Sequence, residues 1–153
     1  MRTYRLSKTK YVEDLSGTGA KNFPGRWNLK DVPMLYTSES RALAALEVLV
    51  HIPARKILDP YSFVVLEFPD ELAIGEVLPK YPEFADLFWL KENEAFTQVV
   101  GTFWAVEAKT VLLKVPSIII PGEFNYVLNP THPDFATVQI VETFEFLFDE
   151  RLI

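Results

Sequence analysis

The chain has 153 residues, 49% of them hydrophobic and 24% charged, with a formal net charge of −6. That length suits one domain, residues 1–153, with apolar residues enough to fill a core. The acidic balance lacks the positive footprint that draws proteins to nucleic-acid phosphates or anionic membranes. With no cysteine, and His51 and His132 as the two histidines, disulfides, thiolate nucleophiles, iron–sulfur clusters and cysteine-ligated zinc are excluded and no metal site is expected.

In chain order, the start Met1-Arg2-Thr3-Tyr4-Arg5-Leu6 is polar and does not read as a signal peptide. No apolar run approaches the ~20 residues of a membrane-spanning helix, so a cytoplasmic protein is expected. Residues 13–33, punctuated by Gly17, Gly19, Pro24 and Gly25, read as a long ordered loop, of the kind that often carries function. Met34-Leu35-Tyr36-Thr37 reads as a short strand. Ser38 then offers an N-cap and Glu39 a first-turn acid for a helix running to about His51, before Pro53.

Ser62–Phe68 reads as a strand closed by Pro69-Asp70, and residues 81–91 as a short helix beginning near Pro82. From Glu92 to about Lys109, Phe96, Val99, Val100, Phe103 and Trp104 recur at helical spacing, which predicts an amphipathic helix buried on that stripe. Gly101 within it costs about 1 kcal/mol against alanine and suggests close packing. Strands are expected at Val111–Val115, Ile118–Ile120, Tyr126–Leu128 and Val138–Phe148.

Four side chains carry the chemical reading. Glu47 sits at the border of a stripe formed by Leu43, Leu46 and Val50. A carboxylate there must be paired, hydrogen-bonded, protonated or open to a cleft; the plainer alternative has it meeting water or Arg41. Arg26, in Gly25-Arg26-Trp27-Asn28, can fork onto a phosphate or carboxylate, or make a surface ion pair. Tyr36 offers a ring face to a planar base or cation, or is a core aromatic. Ser117, between apolar segments, needs a hydrogen-bond partner. It lacks the Gly-x-Ser-x-Gly elbow of a nucleophilic serine, and its simplest reading is a turn residue after Pro116. His132, in Asn-Pro-Thr-His-Pro, reads as a loop residue.

The ordered series Tyr4-Arg5, Gly17-Thr18-Gly19-Ala20, Gly25-Arg26-Trp27-Asn28, Leu35-Tyr36-Thr37-Ser38 and Ala44-Ala45-Leu46-Glu47 resembles the RES domain, named for an arginine, a glutamate and a serine. Val115-Pro116-Ser117, Asn125, Asn129-Pro130, His132-Pro133 and Phe148-Asp149-Glu150-Arg151-Leu152 extend the likeness over nearly the whole chain. It departs at Pro24, where the family usually has a second glycine, and residues 70–95 carry no family motif. Residue by residue, the resemblance puts the family's arginine on Arg26, its tyrosine on Tyr36, its glutamate on Glu47 and its serine on Ser117. It implies an α+β fold like that of ADP-ribosyltransferases and diphtheria-toxin-like enzymes, a split antiparallel sheet around an NAD cleft with flanking helices. It also implies a bacterial toxin with NAD as substrate and an Xre-type helix-turn-helix antitoxin as partner.

The function expected on that basis is cleavage of the nicotinamide–ribose bond of NAD, by a glycohydrolase or phosphorylase. Glu47 would supply negative charge beside the ribose, Arg26 would hold a phosphate, and Tyr36 would stack on nicotinamide. Ser117 would bond the nicotinamide end or orient Glu47. Three alternatives stand beside it: an ADP-ribosyltransferase acting on a protein, a non-catalytic binding module, and a ribonuclease, which the net charge and a lone loop histidine disfavour. A homodimer is expected, with Phe84, Phe88 and Trp89 as interface candidates whose simpler reading is core packing.

Overall fold

The computed structural model describes residues 1–53 and 59–152. Its strands are β1 (Arg2–Lys8), β2 (Leu35–Ser38), β3 (Tyr61–Glu67), β4 (Ile74–Glu76), β5 (Leu112–Pro116), β6 (Phe124–Leu128) and β7 (Gln139–Phe146). Helices α1 (Thr18–Asn22), α2 (Arg41–Leu49), α3 (Leu87–Glu92) and α4 (Glu94–Glu107) lie between them. The strands form one sheet in the order β4-β5-β6-β2-β1-β3-β7. Every pairing is antiparallel except the edge pair β4–β5, which is parallel.

The sheet is split at its centre. Strand β1 pairs with β3 along its whole length, from Arg2↔Glu67 to Lys8↔Tyr61, but meets β2 only at Tyr4↔Ser38. Strand β2 is held instead by β6 over four positions, Leu35↔Leu128 to Ser38↔Asn125. The two half-sheets therefore diverge from one contact, and a cleft opens between β1 and β2. The fold is α+β, as expected.

Alternation along the strands sends side chains to both faces. Leu113 and Val115 of β5 and Val127 of β6 join Trp27, Phe84, Leu90 and Trp104 in a core beneath α3 and α4. The intervening Leu112 and Leu128 face the opposite side with Val64 and Leu66 of β3. Leu6 of β1 and Phe63 of β3 pack with Ala44 of α2, and Ala45, Val48 and Leu49 close over them. Leu43 is buried too, but Val50 is 56% exposed, so the expected stripe of Leu43, Leu46 and Val50 does not describe the buried face of α2.

Several expected boundaries shift for identifiable reasons. Helix α2 is capped by Ser40, whose Oγ accepts from the Leu43 amide at 3.1 Å; Ser38 ends β2 and Glu39 accepts from the Phe124 amide. The expected strand at Ile118–Ile120 is a turn. Ser117 Oγ accepts from the amides of Ile119 and Ile120 at 3.0 and 3.1 Å, which takes those donors from any ladder. The helix expected over 81–91 is a 3-10 turn, Pro82–Ala85, followed by α3, with Asp86 capping the latter by accepting from Phe88 and Trp89 amides.

Helix α4 lies where expected but is rotated. It buries Thr97, Gly101, Trp104 and Ala105, leaving Phe96, Val99 and Phe103 exposed. Trp104 and Ala105, with Val100 beside them, join the core, while the polar edge of the buried face grips the long loop: Thr97 Oγ1 donates to the Arg26 carbonyl, Gln98 Nε2 to the Gly25 carbonyl, and Thr102 Oγ1 accepts from the Leu29 amide. At Gly101 the helix touches the Trp27 backbone so closely that an added Cβ would lie 2.0 Å from the Trp27 carbonyl oxygen. Alanine at position 101 would gain about 1 kcal/mol of helix propensity, against ~1–3 kcal/mol of overpacking strain. Gly101→Ala is therefore expected to lower the urea midpoint; a raised midpoint would show that the helix can move away at no cost.

Candidate active site

The cleft between β1 and β2 widens into a cavity of about 720 Å³ whose lining includes Arg5, Arg26, Tyr36 and Glu47. That volume lies within the ~300–1,000 Å³ of small-molecule and cofactor sites. Three of the four residues singled out from the sequence thus share one cavity, with a carboxylate and a guanidinium among them.

Glu47 projects from the border of α2, and one of its oxygens is fixed from across the cleft. Its Oε1 accepts from Ser117 Oγ at 2.8 Å and from Asn125 Nδ2 at 2.5 Å. Asn125, on β6, is itself oriented by Ser38 Oγ, which donates to its Oδ1 at 2.6 Å. Among the described residues Oε2 has no hydrogen-bond partner. Arg41, the alternative partner, instead pairs with Glu142 at 3.1 Å and lies over the rings of Tyr4 and Phe144.

Ser117 is 1% exposed and does not line the cavity. A hydroxyl has one proton and two lone pairs. Here the lone pairs accept from the Ile119 and Ile120 amides, so the proton goes to Glu47. The side chain is a strut between a turn and a carboxylate, and its oxygen has no free lone pair for attack.

Arg26 lies at the opposite wall with its side chain 15% exposed. Nη1 donates to the Leu90 carbonyl at 2.5 Å, Nη2 stands 3.9 Å from Glu94 Oε2, and the buried Nε has no partner among the described residues. An unsatisfied buried donor is uncommon and costly. The residue itself lines the cavity, where its guanidinium brings positive charge to the wall.

Tyr36 works through both ends. Its hydroxyl accepts from the Trp27 amide at 2.9 Å and donates to Asn28 Oδ1 at 2.8 Å, while its ring stands on the cavity wall. Burial pushes the phenol far above its usual range, so it remains a neutral donor. Gly25 is required beneath it, since a Cβ there would come within 2.7 Å of the ring carbon and hydroxyl.

Two contributors were not singled out from the sequence. Asn28 is fully buried and uses all its capacity: Oδ1 accepts from Gly25 N–H and Tyr36 O–H, and the two N–H bonds of Nδ2 are shared among the carbonyls of Ala20, Leu29 and Val32. Arg5, on β1, reaches the cavity with Nη1 donating to the Asp14 carbonyl at 2.8 Å. Burial works against its charge and Asp14 offsets part of that penalty. The Tyr4-Arg5 pair at the head of the motif series was the available signal.

Residues 2–149 match the RES domain family. The chain belongs to that family. It is 38% identical over 149 residues to a Sphingobium sp. (strain YBL2) protein named Prs ADP-ribosylating toxin, covering 96% of this chain and 91% of that one. It is 33% identical over 161 residues to Toxin Res of Photorhabdus laumondii, with 100% and 97% coverage. Among solved structures, the Mycobacterium tuberculosis MbcT–MbcA toxin–antitoxin complex contains a chain that superposes with a TM-score of 0.75 at 20% identity, covering 95% of this chain and 84% of that one. That likeness establishes the fold.

Removing the Tyr36 hydroxyl tests the loop's wiring. Tyr36→Phe leaves the Trp27 amide without its acceptor and Asn28 short of a donor, which should lower unfolding free energy by ~1–3 kcal/mol. Urea denaturation measures it; an unchanged midpoint would mean that solvent replaces both bonds.

Proposed function

We propose that this RES-family protein is the toxin of a toxin–antitoxin pair and cleaves the bond between nicotinamide and ribose in NAD. The carrying observation is the Glu47 carboxylate held by one oxygen, with the other free at a cavity that also presents Arg26 and Arg5. Nicotinamide leaves as a neutral molecule from a cationic ring, so the transition state is oxocarbenium-like and needs fixed negative charge rather than a strong acid. A carboxylate pre-oriented before substrate arrives supplies that charge without reorganisation. Glu47 Oε2 would accept from a ribose hydroxyl and face the developing cation. Arg26 and Arg5 would hold the pyrophosphate, and the Tyr36 ring would cover nicotinamide. Ser117 is a positioning residue that keeps Glu47 aimed.

Water, phosphate or a protein can then take the ADP-ribose. A second reading, transfer to a protein, is favoured by the 38%-identical Sphingobium relative, an ADP-ribosylating toxin. An antitoxin partner is supported by the structural neighbour, a chain of a toxin–antitoxin complex; we assign it to the Xre type.

Glu47→Gln isolates the charge. The glutamine carbonyl can accept the same bonds from Ser117 and Asn125, so the fold should be retained while nicotinamide release falls ~10²–10³-fold, the scale for removing one transition-state stabiliser. Wild-type turnover by this variant would dismiss the assignment. Arg5→Gln should raise KM ~10–100-fold, matching the ~1.5–3 kcal/mol of a charged hydrogen bond; an unchanged KM would remove Arg5 from the site. Product masses from NAD in plain buffer, with phosphate, and with protein acceptors would separate hydrolase, phosphorylase and transferase. NAD left intact in all three would reject the reading.

A further inference from the structure

Helix α4 has a second face that the site does not use. Phe96, Val99, Phe103 and Val106 are 42%, 53%, 57% and 74% exposed; Phe96 sets one edge of its ring against Tyr81, Phe84 and Trp89, and the other three join no core cluster among the described residues. Their spacing of three, four and three residues places them in one narrow stripe along the helix. From Ala95 to Val106 the helix carries no charged side chain, in a chain that is 24% charged. Phe88, on the adjoining α3, is 81% exposed, whereas Phe84 is buried and Trp89 packs against the core. Of the three aromatic candidates taken from the sequence, Phe88 alone therefore remains a surface residue.

We propose that this stripe is the contact between two copies of the chain, with the α4 helices packed antiparallel about a two-fold axis at the level of Gly101. The pattern is self-complementary about that point. Reversing the helix sets Phe96 opposite the partner's Val106 and Val99 opposite the partner's Phe103, a large side chain against a small one in each pair. An isologous interface demands this property, because the same patch must fit itself.

The area suits such a contact. With a whole aromatic side chain covering ~150–250 Å², these five residues expose roughly 500 Å² of apolar surface. That lies within the ~300–600 Å² of the largest patches on soluble monomers, which are often functional. Counted on both protomers it reaches roughly 1,000 Å², the lower bound of a specific interface. With no charge between Glu94 and Glu107, the two-fold brings no like charges together at its centre. The opposite face of α4 holds Gly25, Arg26 and Leu29 through Gln98, Thr97 and Thr102. A second copy would thus brace the helix that positions Arg26.

The test is sedimentation equilibrium over a concentration series, with circular dichroism to confirm folding. Wild-type protein is expected to reach twice the monomer mass. Val99→Lys and Phe103→Glu are each expected to remain monomeric and folded, since both positions face solvent in the single chain. An equimolar mixture of the two should dimerise again, because the ammonium introduced in one variant would then meet the carboxylate introduced in the other. A wild-type chain monomeric throughout would overturn the proposal, leaving the stripe to a different partner. So would a dimer that survives Phe103→Glu, or singly substituted chains that stay apart when mixed. None of these readings depends on NAD.

Discussion

A carboxylate at the wall of an apolar-rich cavity stays in a fixed orientation only if the protein replaces part of its hydration. Glu47 satisfies this by giving Oε1 to Ser117 and Asn125, which come from the turn after β5 and from β6, while Glu47 comes from α2. Three separated segments therefore converge on one oxygen atom. The split of the sheet makes room for this. Because β1 and β2 meet only at Tyr4↔Ser38, the side chains beyond that contact face an opening rather than a neighbouring strand. Ser38, the residue at the contact, also orients Asn125. The point that joins the half-sheets thus helps aim the carboxylate at the cleft between them.

The opposite wall is built by a different device. A loop cannot hold an arginine at a cavity unless its own backbone is saturated, and here one buried amide does most of that work. Asn28 ties Gly25, Ala20, Leu29 and Val32 together and receives the Tyr36 hydroxyl. Helix α4 adds bonds to the carbonyls of Gly25 and Arg26. Part of the inward face of α4 is polar for this reason: Val100 and Trp104 of the predicted stripe pack into the core, whereas Phe96, Val99 and Phe103 are exposed. Amphipathicity located α4 but not the exact arc the fold would bury, because its buried side meets loop backbone at Thr97, Gln98 and Thr102 as well as hydrocarbon at Val100, Trp104 and Ala105.

Legibility from the sequence followed the same division. Strands whose alternation served apolar burial, β3, β5 and β6, were readable to within a few residues. Strand β1 was not, although it sits inside the sheet. Its Arg2 and Lys8 pair with Glu67 and Asp59, and its Arg5 bonds loop carbonyls, so its polarity carries no sign of burial. The run Ile118–Ile120 has strand composition, yet the Ser117 hydroxyl draws it into a turn. The cavity residues Arg26, Tyr36 and Glu47 were accessible through motif order, which is a property of the family. Nothing in their own spacing showed that they converge, since the convergence is created by pairings between residues far apart in the chain, as in Leu35 with Leu128 and Tyr36 with Val127.

The saturation of Ser117 limits what chemistry the cavity can support. A serine nucleophile needs a free lone pair, a nearby base and access to substrate. Ser117 has a carboxylate beside it, but both lone pairs are engaged and it is closed off from the cavity. A covalent serine intermediate would require the turn at Ile119 and Ile120 to open first. That restriction directs the proposed reaction toward direct capture of a ribosyl cation, in which the protein supplies field and position rather than a bond. The acceptor would then be selected by whatever the cleft admits on the open side of Glu47. Relatives sharing the Glu47–Ser117–Asn125 arrangement could accordingly differ in acceptor without any change in the groups that stabilise the cation.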